Sequence, residues 1–338
     1  MNTGLRVSVA VPLHNEEMVL PELIRRTCMV LDSINGGPHQ LVLVDDGSCD
    51  CTLDILESAA ARDSRIVVVS LSRNFGHQTA LTAALDFVTG DVTVVMDGDL
   101  QDRPEEIPAF LNYFREGYDI VYAQRVKRKE PWYLRLCYFL FYRIASGLCD
   151  VPVPLDSGDF GLMSRRVVEE LRRMPERQRY IRGLRSWVGF RQTGLLVERS
   201  ERQAGKTKYG FIKLLKLASD GIFAFSVVPL RAAAGVGLAT ICIAVVYAVY
   251  ALYVKFALHQ SPPGFTALVL LITFLAGVHL LFLGVIGEYL GRVYEEVKSR
   301  PKYVIKKVVC NSDGMGHKYP PENQYQTWVP AATDSQRA

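Results

Sequence analysis

The stretch Val92–Pro104, VTVVMDGDLQDRP, decides how the rest of the chain is read. Val92 to Met96 has the β-branched, apolar character of a buried strand, and the run stops at Asp97 with Asp99 and Asp102 close behind. Unpaired charge at the end of a buried strand is costly, so acids in that place imply a ligand. Gly98 between Asp97 and Asp99 permits a tight backbone approach with both side chains turned one way. Two hard oxygen donors, with Gln101 as a neutral third, suit Mg2+ or Mn2+ on a diphosphate. An EF-hand is excluded, because the twelfth position counted from Asp97 is Pro108 rather than Glu. Asp102-Arg103-Pro104-Glu105 reads as a helix N-cap with Glu in the first turn, which assigns Asp102 to capping.

Working outward, strands and helices alternate. Strands are predicted at Arg6–Leu13, Gln40–Val44, Arg65–Leu71, Val92–Met96 and Tyr118–Ala123. Helices are predicted at Glu16–Asp32 (Asn15 as N-cap), Thr52–Ala61, His77–Val88 and Pro104–Arg115. Such apolar strands between amphipathic helices argue for an α/β fold with a parallel sheet covered on both faces. Sheets of that kind bind ligands beyond the carboxyl ends of their strands. Leu13-His14-Asn15-Glu16, Asp45-Asp46, Arg73-Asn74-Phe75-Gly76 and Asp97-Gly98-Asp99 each follow a strand, so all four clusters fall on one rim. That rim is the candidate site.

The chain has 338 residues, 49% of them hydrophobic, with mean hydropathy +0.11. The excess lies in the C-terminal third. Ala232–Val254 has 23 residues without a charge, and Gly264–Gly287 has 24 with His279 as the one ionisable group. A spanning helix needs about 20 apolar residues. With Pro262-Pro263 in a short linker, the two runs read as a transmembrane hairpin. Arg292, Lys298, Arg300, Lys302, Lys306 and Lys307 follow the second run, whereas the linker carries only Lys255, which orients both termini to the cytoplasm. The N-terminal segment breaks at Pro12 without the apolar stretch of a signal peptide. His279 reads as a helix–helix hydrogen bonder, and Gly277 and Gly284 allow close contact in a homo-oligomer. The seven cysteines are scattered without zinc spacing, as free thiols in a reducing compartment are.

Net charge is +4 but uneven, with Arg and Lys concentrated in Gln124–Arg143 and Arg165–Arg191. Beside two apolar spans, such patches suit anionic lipid or substrate phosphate rather than nucleic acid. Trp132–Leu148 and Gly210–Ser226 mix aromatic, apolar and basic residues as interfacial helices do, and the polar tail from Asn311 reads as flexible.

The set VPLHNEE, VDDGS, SRNFGHQTAL, MDGDLQD, DSGDFGLMSR and AGKTKYG resembles glycosyltransferase family 2. Within it, the chain is similar to the polyprenyl-phosphate glycosyltransferases related to dolichol-phosphate mannose synthase, over roughly Val7 to Arg300. The resemblance implies a Rossmann-like GT-A domain and inverting transfer of a hexose from a nucleotide-diphosphate sugar to a polyprenyl phosphate. Under it, Pro12, His14, Glu16, Asp45, Asp46 and Gly76 contact the nucleotide sugar, with Ser48 completing the second turn. Asp97, Asp99 and Gln101 form the metal group for Mg2+ or Mn2+, and Asp97 also faces the donor. Asp159 and Asp99 carry catalysis, with Asp159 beside the acceptor. Arg125, Arg128, Arg202 and Lys208 bind phosphate, with Thr207 standing where the family has serine. His14 departs from the aromatic residue common in the mannose synthases.

The implied layout is a cytoplasmic GT-A domain over 1–209, an interfacial helix over 210–229, two transmembrane helices over 230–290, and a basic then flexible tail over 291–338. UDP-glucose or a related UDP-hexose and undecaprenyl phosphate are the favoured substrates, and the implied setting is the bacterial inner membrane. A GDP-mannose-using enzyme is the nearest alternative. A processive synthase would need a QxxRW motif that Gln178–Trp187 does not supply. A non-catalytic scaffold or flippase partner would have no use for the Asp97/Asp99 pair. His77 receives no role.

Overall fold

The computed structural model describes residues 4–125, 157–177, 179–197, 228–257 and 264–310. It divides into two units, the first holding the sheet and the second the long helices. In the first unit the chain runs β1 (Val7–Leu13), α1 (Leu20–Ser33), β2 (Gln40–Asp45), α2 (Thr52–Arg62), β3 (Ile66–Leu71), α3 (His77–Phe87) and β4 (Val92–Val95). A 3-10 turn at Pro104–Glu106 leads into α4 (Ile107–Arg115), then β5 (Ile120–Arg125), β6 (Ser157–Ser164), α5 (Arg165–Arg173), α6 (Ile181–Trp187) and β7 (Gln192–Val197).

Every residue of β1, β2, β3 and β4 is buried, as expected for strands covered on both faces. In α1 the buried residues Leu20, Leu23, Thr27, Val30 and Leu31 recur at helical spacing and form one stripe toward the sheet. Helix α3 is enclosed differently. Ala80, Leu81, Thr82, Ala83, Ala84, Leu85 and Phe87 are all buried, and the small side chains let α3 lie close on β1 and β2. On the core side Phe110 meets Phe160 edge to face with centroids 4.9 Å apart. Such a pair adds about 1 kcal/mol beyond its buried area.

The sheet is mixed, not parallel throughout. Its order is β7-β5-β6-β4-β1-β2-β3-β8, where β8 is Ile305–Cys310. β1, β2, β3 and β4 are mutually parallel, while β6 enters antiparallel between β4 and β5, and β8 lies antiparallel on β3. Neither strand was predicted. β6 (SGDFGLMS) is interrupted by glycines and is fixed by its two neighbours rather than by its own propensity. β8 (IKKVVC) carries the lysines that read as a positive-inside signal, and the same lysines suit an edge strand, where charge discourages further pairing. Tyr303 and Lys302 add to the seam, donating to Asp86 Oδ2 at 2.7 Å and to the Met174 carbonyl at 2.8 Å.

Helix α1 starts later than predicted. Asn15 does not cap it: the residue has φ +56°, Val19 is the N-cap, and Pro21 sits in the first turn. Pro is tolerated there because its missing N–H has no intrahelical acceptor to satisfy. Residues 14–19 thereby become a rim loop.

The second unit contains α7 (Val228–Ala257, 30 residues) and α8 (Phe265–Val297, 33 residues), which touch each other. Within α8, Phe274–Val297 is long and apolar enough to cross a membrane by length and composition, with mean hydropathy 1.6. Gly235–Tyr247 in α7 is a shorter apolar stretch. The predicted interfacial helices at 132–148 and 210–226 and the tail from 311 lie outside the described residues.

Candidate functional site

The rim forms where β1, β2, β3 and β4 end together, and each loop is tied to its neighbour by side chains. Asp45 is 1% exposed. Its Oδ1 accepts from the Ser48 amide at 3.1 Å and its Oδ2 from the Ser70 hydroxyl at 3.1 Å. Asp46 reaches across to the loop before α3, accepting from the Phe75 amide at 2.7 Å and the Gly76 amide at 2.9 Å. Between these loops Gly47 takes φ +64°, and a Cβ there would stand 2.5 Å from the Arg73 carbonyl carbon, so only glycine fits.

The first loop locks onto the second. His14 Nδ1 donates to the Asp46 carbonyl at 3.0 Å, which puts the ring proton on Nδ1 and leaves Nε2 to accept from Asn15 Nδ2 at 3.2 Å. The Asn15 amide donates to Ser48 Oγ, and Asn15 Oδ1 accepts from the Cys49 amide. The Glu16 amide donates to Thr52 Oγ1 at 3.0 Å. Pro12 is buried within β1 opposite Val44.

Around the opening stretch, the turn is closed by its own acids. Asp99 Oδ1 accepts from the Gln101 amide at 3.1 Å, and Asp102 Oδ2 accepts from the Asp97 amide at 3.3 Å. The capping assignment of Asp102 is therefore corrected. Arg103 is the N-cap residue of the following turn and, with no acceptor on its guanidinium, makes no side-chain cap, while the Asp102 carboxylate accepts from the Asp97 amide.

The second half of the rim brings in residues distant in sequence. Asp159 stands near the start of β6 with its side chain 5% exposed. Arg182, from α6, grips it with both arms, Nε to Oδ1 at 2.7 Å and Nη2 to Oδ2 at 2.8 Å. The first turn of α3 closes the ring. His77 Nε2 lies 3.5 Å from Asp97 Oδ1 and 3.6 Å from Asp159 Oδ2. Gln78 donates to Asp159 Oδ2 at 3.4 Å and accepts from the Ile181 amide at 3.0 Å, joining α3, β6 and α6.

These contacts set the charges. Burial alone would raise the Asp159 pKa, but the Arg182 and His77 hydrogen bonds and charges outweigh it and hold the carboxyl well below the usual range. Partial burial works against protonation of His77, yet Asp159 and Asp97 prevail and its pKa is raised. Burial likewise opposes the Arg182 charge, and Asp159 more than restores it. Ligand atoms of His77, Asp97 and Asp159 lie within 4.8 Å of one another, a nitrogen-and-oxygen set that a divalent cation takes.

Of the sequence-predicted residues, Asp97 and Asp159 come together, and Asp45, Asp46, His14 and Gly76 share one hydrogen-bonded cluster. Asp99 and Gln101 belong to the adjoining turn. Arg125 ends β5, while Arg128, Arg202 and Lys208 lie outside the described residues. His77, Gln78 and Arg182 had received no role. For the first two a signal exists: they are polar residues opening a helix that is otherwise buried nearly all round.

A family model for glycosyl transferase family 2 matches residues 8–172. An uncharacterised glycosyltransferase of Bacillus subtilis is 42% identical over 308 residues, covering 91% of this chain and 95% of that protein. The chain belongs to glycosyltransferase family 2. A second uncharacterised glycosyltransferase, from Synechocystis, is 41% identical over 302 residues and covers 89% and 95%. A prophage bactoprenol glucosyl transferase homolog of Escherichia coli is 37% identical over 305 residues, covering 90% of this chain and 99% of that protein. The rim thus belongs to a family 2 glycosyltransferase built on an α/β GT-A-like fold with a mixed sheet.

Proposed function

We propose that this glycosyltransferase moves a hexose from a nucleotide-diphosphate sugar to the phosphate of a polyprenyl carrier at the membrane surface. The observation that carries the reading is the 37% identity to the bactoprenol glucosyl transferase homolog, which extends over 99% of that protein. In the proposed step a phosphate oxygen of the carrier attacks the anomeric carbon. The bond to the donor diphosphate breaks, the nucleoside diphosphate leaves, and the configuration inverts.

The chemistry of the rim agrees with that division of labour. Asp45 and Asp46, backed by Pro12, His14, Glu16 and Gly76, hold the base and ribose end of the donor. Asp97 faces the diphosphate. The residues present fit a divalent ion: Asp97 would hold it, with Asp99 and Gln101 or with His77 and Asp159 as further donors, and bound Mg2+ or Mn2+ would offset the charge developing on the leaving diphosphate. An acceptor phosphate is already ionised at neutral pH, so no strong base is needed. Asp159 is poorly suited to be one, since Arg182 and His77 lower its pKa and so weaken its hold on a proton. It instead orients Arg182 toward the acceptor, with Arg125, Arg128, Arg202 and Lys208 as further phosphate contacts.

The layout proposed from the sequence follows the same logic. Residues 1–209 form a cytoplasmic catalytic domain, 210–229 lie at the interface, 230–290 cross the membrane twice, and 291–338 return to the cytoplasm. Fixing the enzyme at the membrane keeps it close to the lipid that carries a prenyl phosphate, which raises the encounter rate. UDP-glucose and undecaprenyl phosphate are the proposed pair.

Membranes holding the protein, incubated with a panel of labelled sugar nucleotides and polyprenyl phosphate and then extracted, test the reading. Label should enter the organic phase from one UDP-hexose, and chelation or Asp97→Asn with Asp99→Asn should abolish it. No label from any donor, or synthesis indifferent to both treatments, would refute it.

A further inference from the structure

Among the described residues Arg185 has no ion-pair partner of its own, and the acid whose field supports its charge is Asp159, which Arg182 already holds. Helix α6 buries Arg185 to 3% exposure, and among the described residues no carboxylate stands within ion-pair distance. Its Nε is shielded from solvent and has no hydrogen-bond partner. What it touches is the Gly158 carbonyl, 3.3 Å from Nη2, and the face of Tyr122, whose ring centre is 5.5 Å from the guanidinium carbon. Burial pushes its pKa down only to about 10, so the group is a cation at neutral pH.

The fold makes room for this cation. Gly161 lies over it, and a Cβ at that position would stand 3.4 Å from Arg185 Nη1 and 2.5 Å from the Val121 carbonyl oxygen. Arg182, one turn earlier on the same helix, has its charge met by Asp159. Residues 158 and 159 are therefore held by two guanidiniums against a single carboxylate. A side chain needed for packing alone would be apolar here, because a buried lone cation costs more than an apolar residue of similar volume.

We propose that Arg185 is a positioning residue for the transfer: it fixes, from within the fold, the 158–160 backbone that presents Asp159, and its charge, which shares the one Asp159 carboxylate with Arg182, is met more fully when a phosphate anion arrives beside Asp159. The inference rests on the glycosyl-transfer reading above. The anion is either the donor diphosphate or the carrier phosphate, and the chemistry of recognition is the same for both. The guanidinium does not touch it. Arg185 acts through Gly158 and through the field it adds behind Asp159, which a low-dielectric interior screens less than water does.

Three full-length variants separate these parts. Arg185→Lys keeps the charge, Arg185→Gln keeps a donor for the Gly158 carbonyl without charge, and Arg185→Met keeps neither. Hydrogen exchange in peptides from 157–164 reports the backbone seat without reference to the reaction. Exchange should quicken about tenfold in Arg185→Met and stay near the native rate in the other two. In the sugar-lipid assay, Arg185→Gln should raise KM for one phosphate-bearing substrate about tenfold while Arg185→Lys restores it to within about threefold. Separate titrations of donor and carrier identify which substrate brings the anion. Native exchange in Arg185→Met, or Lys and Gln variants that are kinetically alike, would overturn the proposal. An unaltered chain that makes no sugar lipid refutes the reading of function instead, and the exchange comparison still decides the seat.

Discussion

Asp46 and Asp159 lie on the same rim and are held in opposite ways. Asp46 is satisfied by two backbone amides, Phe75 and Gly76, in the loop beside it. Asp159 is satisfied by side chains that bear charge, chiefly Arg182, brought by a different helix. Amide donors are fixed by the fold and cannot leave. A guanidinium can trade a carboxylate for a substrate phosphate, and a neutral imidazole can trade it for a metal ion. The first arrangement builds a rigid scaffold; the second builds a centre that can respond to ligands.

The contrast can be broken at its strong end first. Arg182→Gln leaves Asp159 buried without its main partner. Losing one member of a buried pair costs on the order of 3 kcal/mol, which chemical denaturation of the full chain would read. The pH dependence has a defined sign. Because Asp159 has a folded pKa below the unfolded value, its contribution is present above the unfolded pKa and is lost as pH falls through the folded one. The variant should be less stable than the native chain near neutrality and should approach it in acid. A variant that stays equally less stable down to low pH would show that the pair is not the source.

Asp46→Asn probes the other end. An amide side chain offers one acceptor oxygen where the carboxylate offered two, so one of the Phe75 and Gly76 amides loses its partner. The expected loss is about 1–2 kcal/mol with a raised KM for the sugar nucleotide, and turnover at saturation should hold. A fall in turnover with KM unchanged would move Asp46 from scaffold to chemistry.

How far the sequence foretold this contrast follows from its physical basis. The scaffold half is local: strands Val7–Leu13, Gln40–Asp45, Ile66–Leu71 and Val92–Val95 are apolar runs ended by polar clusters, and both pattern and turn chemistry are visible in one dimension. The responsive half is made by pairings remote in sequence. His77 meets Asp159 only because β6 inserts antiparallel between β4 and β5, and β6 has too little β-branched content to announce itself. His77 received no role for that reason. Asp102 misled in another way, since a helix cap and an Asx-type turn use the same residue types.

The return of the chain to the sheet at β8 gives a smaller test of the scaffold. Tyr303 donates to Asp86, whose pKa burial raises although Tyr303 pulls it down. Tyr303→Phe should cost about 1 kcal/mol near neutrality. Asp86 titrates higher in the folded state than in the unfolded one, so its contribution is full below the unfolded pKa and lost as pH rises through the folded value. Removing Tyr303 should deepen that loss, and melting curves across pH 4–7 would show a gap that widens with pH, from about nothing to the full 1 kcal/mol. A constant gap would mean the hydroxyl acts elsewhere.

The central claim is that Asp159 works on the acceptor side of a rim whose donor side stands independently. Donor affinity and turnover measured together in Asp159→Asn test it most directly. The expected result is sugar-nucleotide binding within about threefold of the native protein, with transfer to polyprenyl phosphate lowered by about a hundredfold or more. Donor affinity falling in step with the rate would contradict the claim and place Asp159 with the nucleotide instead.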